Sequence, residues 1–185
     1  MVNTRLGAGL LAVVLAMGLT TTTRPGFAAS AAEINRDVDR ALRDLYAKDP
    51  KAKELTSRAK AVLVFPSIYK AGFMFGAQYG DGALRQKGKT IGYYNSVAAS
   101  YGLQAGVQKF GYALFFMTDS ALQYLNKSGG FELGTGPSIA VLDTGAATAF
   151  TSTTLQSDMY AIFFDQKGLM AGLGIQGSKI SKINK

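Results

Sequence analysis

The stretch that decides the fold is KAGFMFGAQYG, which runs from Lys70 to Gly80. Its glycines recur at every fourth residue, between aromatic and other apolar residues. This spacing is compatible with a helix-packing face, a phosphate-binding loop or a strand with one bare side. The apolar run of about ten residues is too short for a membrane-spanning helix, which needs about 20. Gly88-Lys89-Thr90 follows it, but Ala83 stands where a phosphate loop requires its first glycine, and glycine with aromatic residues disfavours any helix. We therefore predict a strand.

Alternate residues of a strand lie on the same face, so this strand has one apolar face and one glycine-rich face. Two further segments, SYGLQAGVQ (100–108) and LMAGLGIQ (169–176), divide in the same way. We expect the apolar faces of all three to point inward. The residues on these faces are Ala71, Phe73, Phe75, Ala77, Tyr79, Tyr101, Leu103, Ala105, Val107, Leu169, Ala171, Leu173 and Ile175.

The glycine-rich faces indicate the architecture. Glycine weakens a strand unless another backbone approaches closely or the strand bends sharply, and a small closed barrel needs sharp bends. We therefore predict an α+β, mainly β fold: an antiparallel β-barrel, or a strongly coiled sheet, with about three helices packed outside. An ordinary β-sandwich is about equally compatible with the period-two patterns.

Helical patterns flank the strands. Before residue 60, apolar residues recur at intervals of three and four, as on one face of a helix. Asp49 and Pro50 are typical of the N-cap and first position of a second, short helix. The members of the first apolar face are Ile34, Val38, Ala41, Leu42 and Leu45.

Later segments carry strand, turn and helix signals. AVLVF, Ala61 to Phe65, is typical of a buried strand, which we expect to end at Pro66. LRQKGKT, residues 84–90, indicates a hairpin tip. Thr118 or Asp119 would cap a third helix, with glycines 129–130 as its end.

The first residues have the layout of a secretory signal peptide: MVNTRL, an apolar run from Leu6 to Leu19, then small residues. Cleavage is expected after Ala28 or Ala31, and a retained N-terminal anchor is the alternative. We assign residues 1–31 to the signal peptide and 32–185 to a single domain, helical over 32–60 and β-rich over 61–185. The protein is thus expected to be exported, to the periplasm or the cell surface.

Composition narrows the possible chemistry. The chain has no cysteine and no histidine, so it lacks the thiolate nucleophile and the commonest general base and metal ligand. We expect no enzymatic activity, no cofactor and no metal.

The sequence VLDTGAA, with Asp143, resembles the signature of aspartic proteases. Those enzymes pair two carboxylates, so Asp143 would require a homodimer, and a simple turn is favoured. The other carboxylates considered are expected at strand ends or helix caps. They are Asp81, Asp119, Asp158 and Asp165.

Basic residues give the functional expectation. Without Arg5 and Arg24 of the predicted signal peptide, 18 Lys and Arg remain against 12 Asp and Glu, a net charge of +6. Such a surface favours anionic lipid head groups, although an ordinary solvated surface is about equally compatible. The candidate lipid-binding residues are Lys48, Lys51, Lys53, Arg58, Lys60, Lys70, Arg85, Lys87 and Lys89. We expect those from Lys48 to Lys60 to form one patch with Lys70.

Several motifs in order resemble the SYLF domain family, over about residues 35–182. The motifs are FPS at Phe65–Ser67, KAGF at Lys70–Phe73, YGLQAG at Tyr101–Gly106, ALFFM at Ala113–Met117 and GLMAG at Gly168–Gly172. The resemblance implies binding of phosphoinositides or other anionic phospholipids by a β-barrel core with helices packed on it. It carries no catalytic residues onto this chain. Some eukaryotic members are linked to actin, a link that we do not extend to an exported chain.

We therefore predict non-catalytic, peripheral binding of anionic phospholipid or phosphoinositide head groups by a monomeric, exported SYLF domain. An exported chain favours phosphatidylglycerol, cardiolipin or a host lipid over phosphoinositides. The alternative is an envelope scaffold or protein-interaction domain that uses its glycine-rich face, and a homodimeric protease centred on Asp143 comes third. Nucleic-acid binding is not expected, because the chain has no recognition motif for it.

Overall fold

The computed structural model describes residues 29–127, 131–142, 156–165 and 177–185, and at 73–75, 100–106 and 127 it describes the backbone alone. Within these ranges the chain forms three helices and six strands. The helices are α1 (Ala31–Lys48), α2 (Pro50–Arg58) and α3 (Asp119–Lys127). The strands are β1 (Ala61–Gln86), β2 (Lys89–Phe116), β3 (Phe131–Glu132), β4 (Ile139–Leu142), β5 (Met159–Phe164) and β6 (Lys179–Ile183).

One very long hairpin dominates the sheet. β1 has 26 residues and β2 has 28, whereas strands in globular proteins usually have about 3–10. The two pair antiparallel from Ala61↔Phe116 to Gln86↔Lys89. Lys87 and Gly88 join them with φ angles of 50° and 77°, as a tight two-residue hairpin turn requires. The predicted hairpin tip is confirmed.

The hairpin folds back on itself. A Cβ atom added at Gly80 would collide with the carbonyl oxygen of Ser67, and one added at Gly82 would collide with that of Val64. The second half of β1 therefore passes directly against its first half, at a distance that only glycine permits. In β2, the Tyr112 hydroxyl donates a 2.8 Å hydrogen bond to Ser96 Oγ, and both residues are buried.

The remaining strands extend the sheet from β2, in the order β3-β6-β2-β5-β4, with β1 on β2 as well. β5 pairs with Gly111–Phe116 and β6 with Tyr93–Val97. Every described pairing is antiparallel except that of β4 with β5. The result is a curled half-barrel, which confirms the predicted mainly β fold with a strongly coiled sheet.

Each face of the curled sheet carries its own apolar cluster. The inner cluster lies inside the curl and includes Leu63, Phe65, Ile68, Leu84, Tyr94, Tyr112, Leu114 and Phe116. α3 closes it with Ala121 and Leu125. The outer cluster joins sheet residues to α1 and α2 and includes Ile34, Val38, Ala41, Leu45, Ala52, Leu55, Val62, Val64, Ala113 and Phe115. Both faces of this part of the sheet are thereby dry.

The predicted helix signals are confirmed. Ile34, Val38, Ala41 and Leu45 are buried and Leu42 packs against them. Asp49 caps α2 by accepting a hydrogen bond from Lys51 N at 3.0 Å, with Pro50 at the first position. Thr118 Oγ1 accepts from Ala121 N at the start of α3. The predicted end of α3 at residues 129–130 lies outside the described residues.

α1 adds a detail at its start that bears on the predicted domain boundary. Ser30 is its N-cap and exchanges hydrogen bonds with Glu33 in a capping box. The folded part therefore includes Ser30, which cleavage after Ala28 would keep and cleavage after Ala31 would remove. Residues 1–28 lie outside the described residues.

Two strand predictions are wrong. β1 does not end at Pro66 but continues through it. The ladder shifts register between Phe65 and Ile68, and this irregularity accommodates a residue that has no N–H to donate.

The inward assignment of the apolar faces is wrong as well, wherever the structure describes their side chains. Ala71, Ala77 and Tyr79 are exposed, and so is Val107 in the second segment. The opposite face, with Gln78 and Gly80, is buried. At Gly80 and Gly82 the curl brings the two halves of β1 so close together that no side chain fits between them. The third segment, 169–176, lies outside the described residues.

The close approach at Gly80 predicts the cost of a side chain there. Gly80→Ala should lower the free energy of unfolding by about 1–3 kcal/mol, because the methyl group meets backbone that cannot move aside easily. Ala77→Val adds more volume to the same strand, but on its exposed face, and should change stability by less than about 0.5 kcal/mol. Urea denaturation of both variants tests this. Equal stability of the two variants would contradict the fold-back.

The bond from Tyr112 to Ser96 predicts a second result. Tyr112→Phe leaves the buried Ser96 hydroxyl without its partner and should cost about 1–3 kcal/mol. Ser96→Ala in the Tyr112→Phe background should cost little more. A double-mutant cycle on the unfolding free energies measures the coupling, and additive costs would show that the two side chains do not interact.

Candidate functional site

The first basic group surrounds α2. The structure places Lys48 at the end of α1, Lys51 and Lys53 in the first half of α2, and Arg58 and Lys60 at its end. Lys53 is exposed, and three of the others form surface ion pairs. These are Lys48 with Asp165 at 3.1 Å, Arg58 with Glu54 at 2.7 Å and Lys60 with Asp119 at 3.1 Å. Exposed pairs of this kind contribute little to stability, so the cations can turn to other anions.

The second basic group lies at the hairpin tip, and one member is structural. Arg85 has a side chain that is 14% exposed, and its guanidinium donates to Asp39 Oδ1 at 2.6 Å and to the carbonyl of Asn35 at 3.3 Å. It therefore ties the tip to α1. Lys87 and Lys89 are exposed.

The first group lies around the C-terminal end of α1, whereas the second is attached to the N-terminal half of that helix. The tip is fastened at Asp39, and α2 begins after Asp49. Ten helical residues separate these points, about 15 Å along the axis. Lys70 lies ten residues further along the chain than Lys60, roughly 30 Å along an extended strand, and its side chain is half-buried. Lys60 and Lys70 are therefore not neighbours, and the expected patch of Lys48 to Lys60 with Lys70 stays a prediction.

A third surface was not foreseen. We call residues 69–79 of β1 and 97–109 of β2 the arch, because each stretch begins and ends where the hairpin meets itself. The described side chains on the outer face of the arch, the face that α1 covers elsewhere, are exposed. Among large apolar residues these are Tyr69 at 53%, Tyr79 at 46%, Val97 at 43% and Val107 at 75%. Ladder pairing puts Val97 beside Tyr79 and Val107 beside Ala71.

Lysines lie at one end of this outer face. Lys109 pairs with Tyr69 in the ladder, and its Nζ lies 5.6 Å from the centre of the Tyr69 ring, within range of a cation–π contact. Lys48 is close by, because its partner Asp165 directly follows Phe164, which pairs with Gly111. Gly111 and Lys109 are two residues apart, about 7 Å. No signal in the sequence marked Lys109, because it stands alone among uncharged residues and belongs to no cluster of basic residues.

Asp81 closes the other end of the arch and corrects another expectation. It lies within β1 rather than at a strand end, opposite Asn95. Its side chain is 7% exposed and pairs with Lys185 Nζ at 3.2 Å. Tyr79 donates its hydroxyl to Asp81 at 2.5 Å. Burial, together with this bond and the Asp81 charge, raises the pKa of Tyr79 to about 12.

The other described carboxylates lie where the sequence placed them. Asp119 is in the first turn of α3, and Asp165 directly follows β5. Asp158 directly precedes β5 and accepts hydrogen bonds from Ser138 and Thr118. Those bonds, the Ser138 side chain first, hold its pKa below the ordinary value. Each carboxylate has a structural role. Asp143 lies outside the described residues.

Two features are absent from the ranges that the structure describes. In those ranges, no group of three or more acidic side chains is arranged to hold a metal ion. None of the helices there has the length and apolar character needed to cross a membrane.

Comparison with known proteins finds a family model that is similar to the second half of the chain. Residues 97–185 match the family model Ysc84, described as "Las17-binding protein actin regulator". The matched segment contains most of β2, all of β3 to β6 and α3. No curated protein matches the chain.

Two members of the hairpin-tip group predict different effects on stability. Arg85→Gln removes the ion pair with Asp39 and the hydrogen bond to the Asn35 carbonyl in α1. Because the guanidinium is nearly buried, the free energy of unfolding should fall by about 1–3 kcal/mol. Lys89→Gln at the exposed side of the same tip should be within about 0.5 kcal/mol of wild type. Thermal denaturation compares them. A neutral Arg85→Gln would return Arg85 to the list of free lipid-binding candidates.

Proposed function

We propose, from the premise that this chain belongs to the SYLF (Ysc84) domain family, that it binds anionic phospholipid surfaces peripherally and without catalysis. The binding takes place outside the cell or in the periplasm, after removal of the N-terminal signal. Phosphatidylglycerol and cardiolipin are the head groups that such a compartment offers. The protein acts as a monomer and needs no cofactor.

The observation that carries this proposal is the display of basic side chains around α2. Ala52 and Leu55 bury one side of the helix in the outer cluster. Lys53 and Arg58 lie on its exposed side, and Lys60 follows its end. The helix is thus held firmly while its cations face solvent. Each such cation near an anionic surface contributes roughly 1 kcal/mol before screening.

The alternative of a protein-interaction domain that uses its glycine-rich face has less support. Gly80 and Gly82 lie against backbone inside the curl, so that end of the glycine-rich face is not open to a partner. The description of the matched model mentions actin and Las17. We do not propose those partners here, because an exported chain would not meet them.

Vesicle sedimentation tests the proposal. The full chain should sediment with vesicles of 30% phosphatidylglycerol in phosphatidylcholine and not with phosphatidylcholine alone. Binding should weaken as salt shortens the Debye length from about 10 Å at 0.1 M toward 3 Å at 1 M. Replacing Lys51, Lys53, Arg58 and Lys60 by Gln should remove most of the binding and leave the thermal midpoint nearly unchanged.

Lys179→Gln with Lys182→Gln, on exposed positions of β6, is the matched control for lost charge and should retain most of the binding. Equal binding to both vesicle types would overturn the proposal. Recovery of a crosslinked protein partner in place of vesicle binding would support the scaffold alternative.

A further inference from the structure

The structure points to a second, apolar contact with the bilayer, which rests on the proposed function and deepens it. We infer that the outer face of the arch inserts among the lipid chains near the head groups. The lysines at its base, Lys109 and Lys48, then meet the phosphates. The occupant of this face is a lipid surface.

The arch has a convex outer side. The backbone at Gly80 touches Ser67 and Ile68, and Ser96 touches Tyr112. Each strand of the hairpin therefore leaves the body of the protein and returns to the same place. Four of these contact residues belong to the buried inner side of the sheet, namely Ile68, Gly80, Ser96 and Tyr112. The opposite, outer side of the arch is consequently convex, and its side chains point away from the protein.

The convex outer side of the arch is mainly apolar. Its described, exposed residues are apolar or aromatic, apart from Lys109. They are Tyr69, Ala71, Ala77, Tyr79, Val97, Ala99 and Val107. The ladder places them in two groups, one with Tyr69, Ala71 and Val107 and one with Ala77, Tyr79, Val97 and Ala99. Large exposed apolar patches mark protein or membrane interaction sites. Tyrosine at both ends suits the boundary between head groups and chains, where amphipathic rings are enriched.

Charge selects lipid as the partner. The sequences of 69–79 and 97–109 contain no Asp or Glu, and their charged residues are Lys70 and Lys109. Insertion of the arch therefore buries no carboxylate. A lysine at the base can extend its ammonium group to the phosphates while its methylene stem stays against apolar surface.

A second copy of this chain fits the same face poorly. A two-fold dimer brings identical patches together, so Lys109 of one copy would approach the same region of the other without an acid to receive it. Two convex surfaces also share little area. A fluid bilayer, in contrast, adapts to a convex surface and supplies the missing negative charge.

The chain has no native cysteine, which allows a direct test with a single environment-sensitive label. Val107→Cys carries the fluorophore NBD at the most exposed of the large apolar residues described in the arch. Gln123→Cys, exposed on α3, carries it as the matched control. Each labelled full-length protein is mixed with vesicles of 30% phosphatidylglycerol in phosphatidylcholine, and sedimentation is measured on the same samples.

We expect the label at position 107 to shift its emission to the blue and to brighten with these vesicles, whereas the label at 123 does not change. Unlabelled Val107→Asp should bind these vesicles roughly tenfold more weakly than wild type. Gln123→Asp makes the same change of charge and should bind nearly as wild type.

Each other outcome overturns a defined part of the account. If the protein sediments with vesicles but the label at 107 stays in water, the arch inference fails and the proposed function stands. If the protein does not sediment at all, both fail. If the label shifts without vesicles and light scattering gives twice the mass, the face is a dimer contact and the lipid inference fails.

Discussion

Backbone-to-backbone contact inside the curl, at Gly80 and Gly82, is the constraint on which the rest of the structure depends. Without a Cβ at these two positions, the second half of β1 can lie against the carbonyls of Ser67 and Val64. The inner side chains then fill the remaining space as one cluster, and α3 closes it. A hairpin of ordinary bulk would have to stay open, and its inner face would be wet.

The same curl determines which surfaces are left for function. Close packing within the curl leaves the larger apolar residues of the arch on its outer face. α1 and α2 cover that outer face over Val62, Val64, Ala113 and Phe115 and do not reach the arch. Lys48 and Lys109 border the uncovered part. The fold thus combines a dry interior with a convex apolar exterior, an arrangement suited to a membrane surface.

Local signals in the sequence predicted the local structure well. Each of these signals depends only on neighbours in the chain. They are the helical spacing of Val38, Ala41 and Leu45, the cap at Asp49 and the turn at Lys87-Gly88. The strongly coiled sheet was also predictable, because glycine on alternate positions has few other uses. The family resemblance drawn from the motifs agrees with the model that matches residues 97–185.

The direction of the faces could not be predicted in this way. An apolar residue such as Val107 usually points inward, but here the fold-back between distant parts of the hairpin reverses that preference. The buried pair of Asp81 and Lys185 joins residues more than 100 positions apart. The irregularity at Pro66 likewise depends on pairing with β2. In each case a long-range contact, not the local pattern, decides where the side chain lies.

Hydrogen–deuterium exchange of the full chain, with and without phosphatidylglycerol vesicles, tests most directly the claim that the outer face of the hairpin meets the membrane. The account predicts slower exchange on lipid binding in 69–79 and 97–109 and in α2, with α3 unchanged. Slower exchange confined to α3, or unchanged exchange throughout the arch while the protein is vesicle-bound, would contradict it.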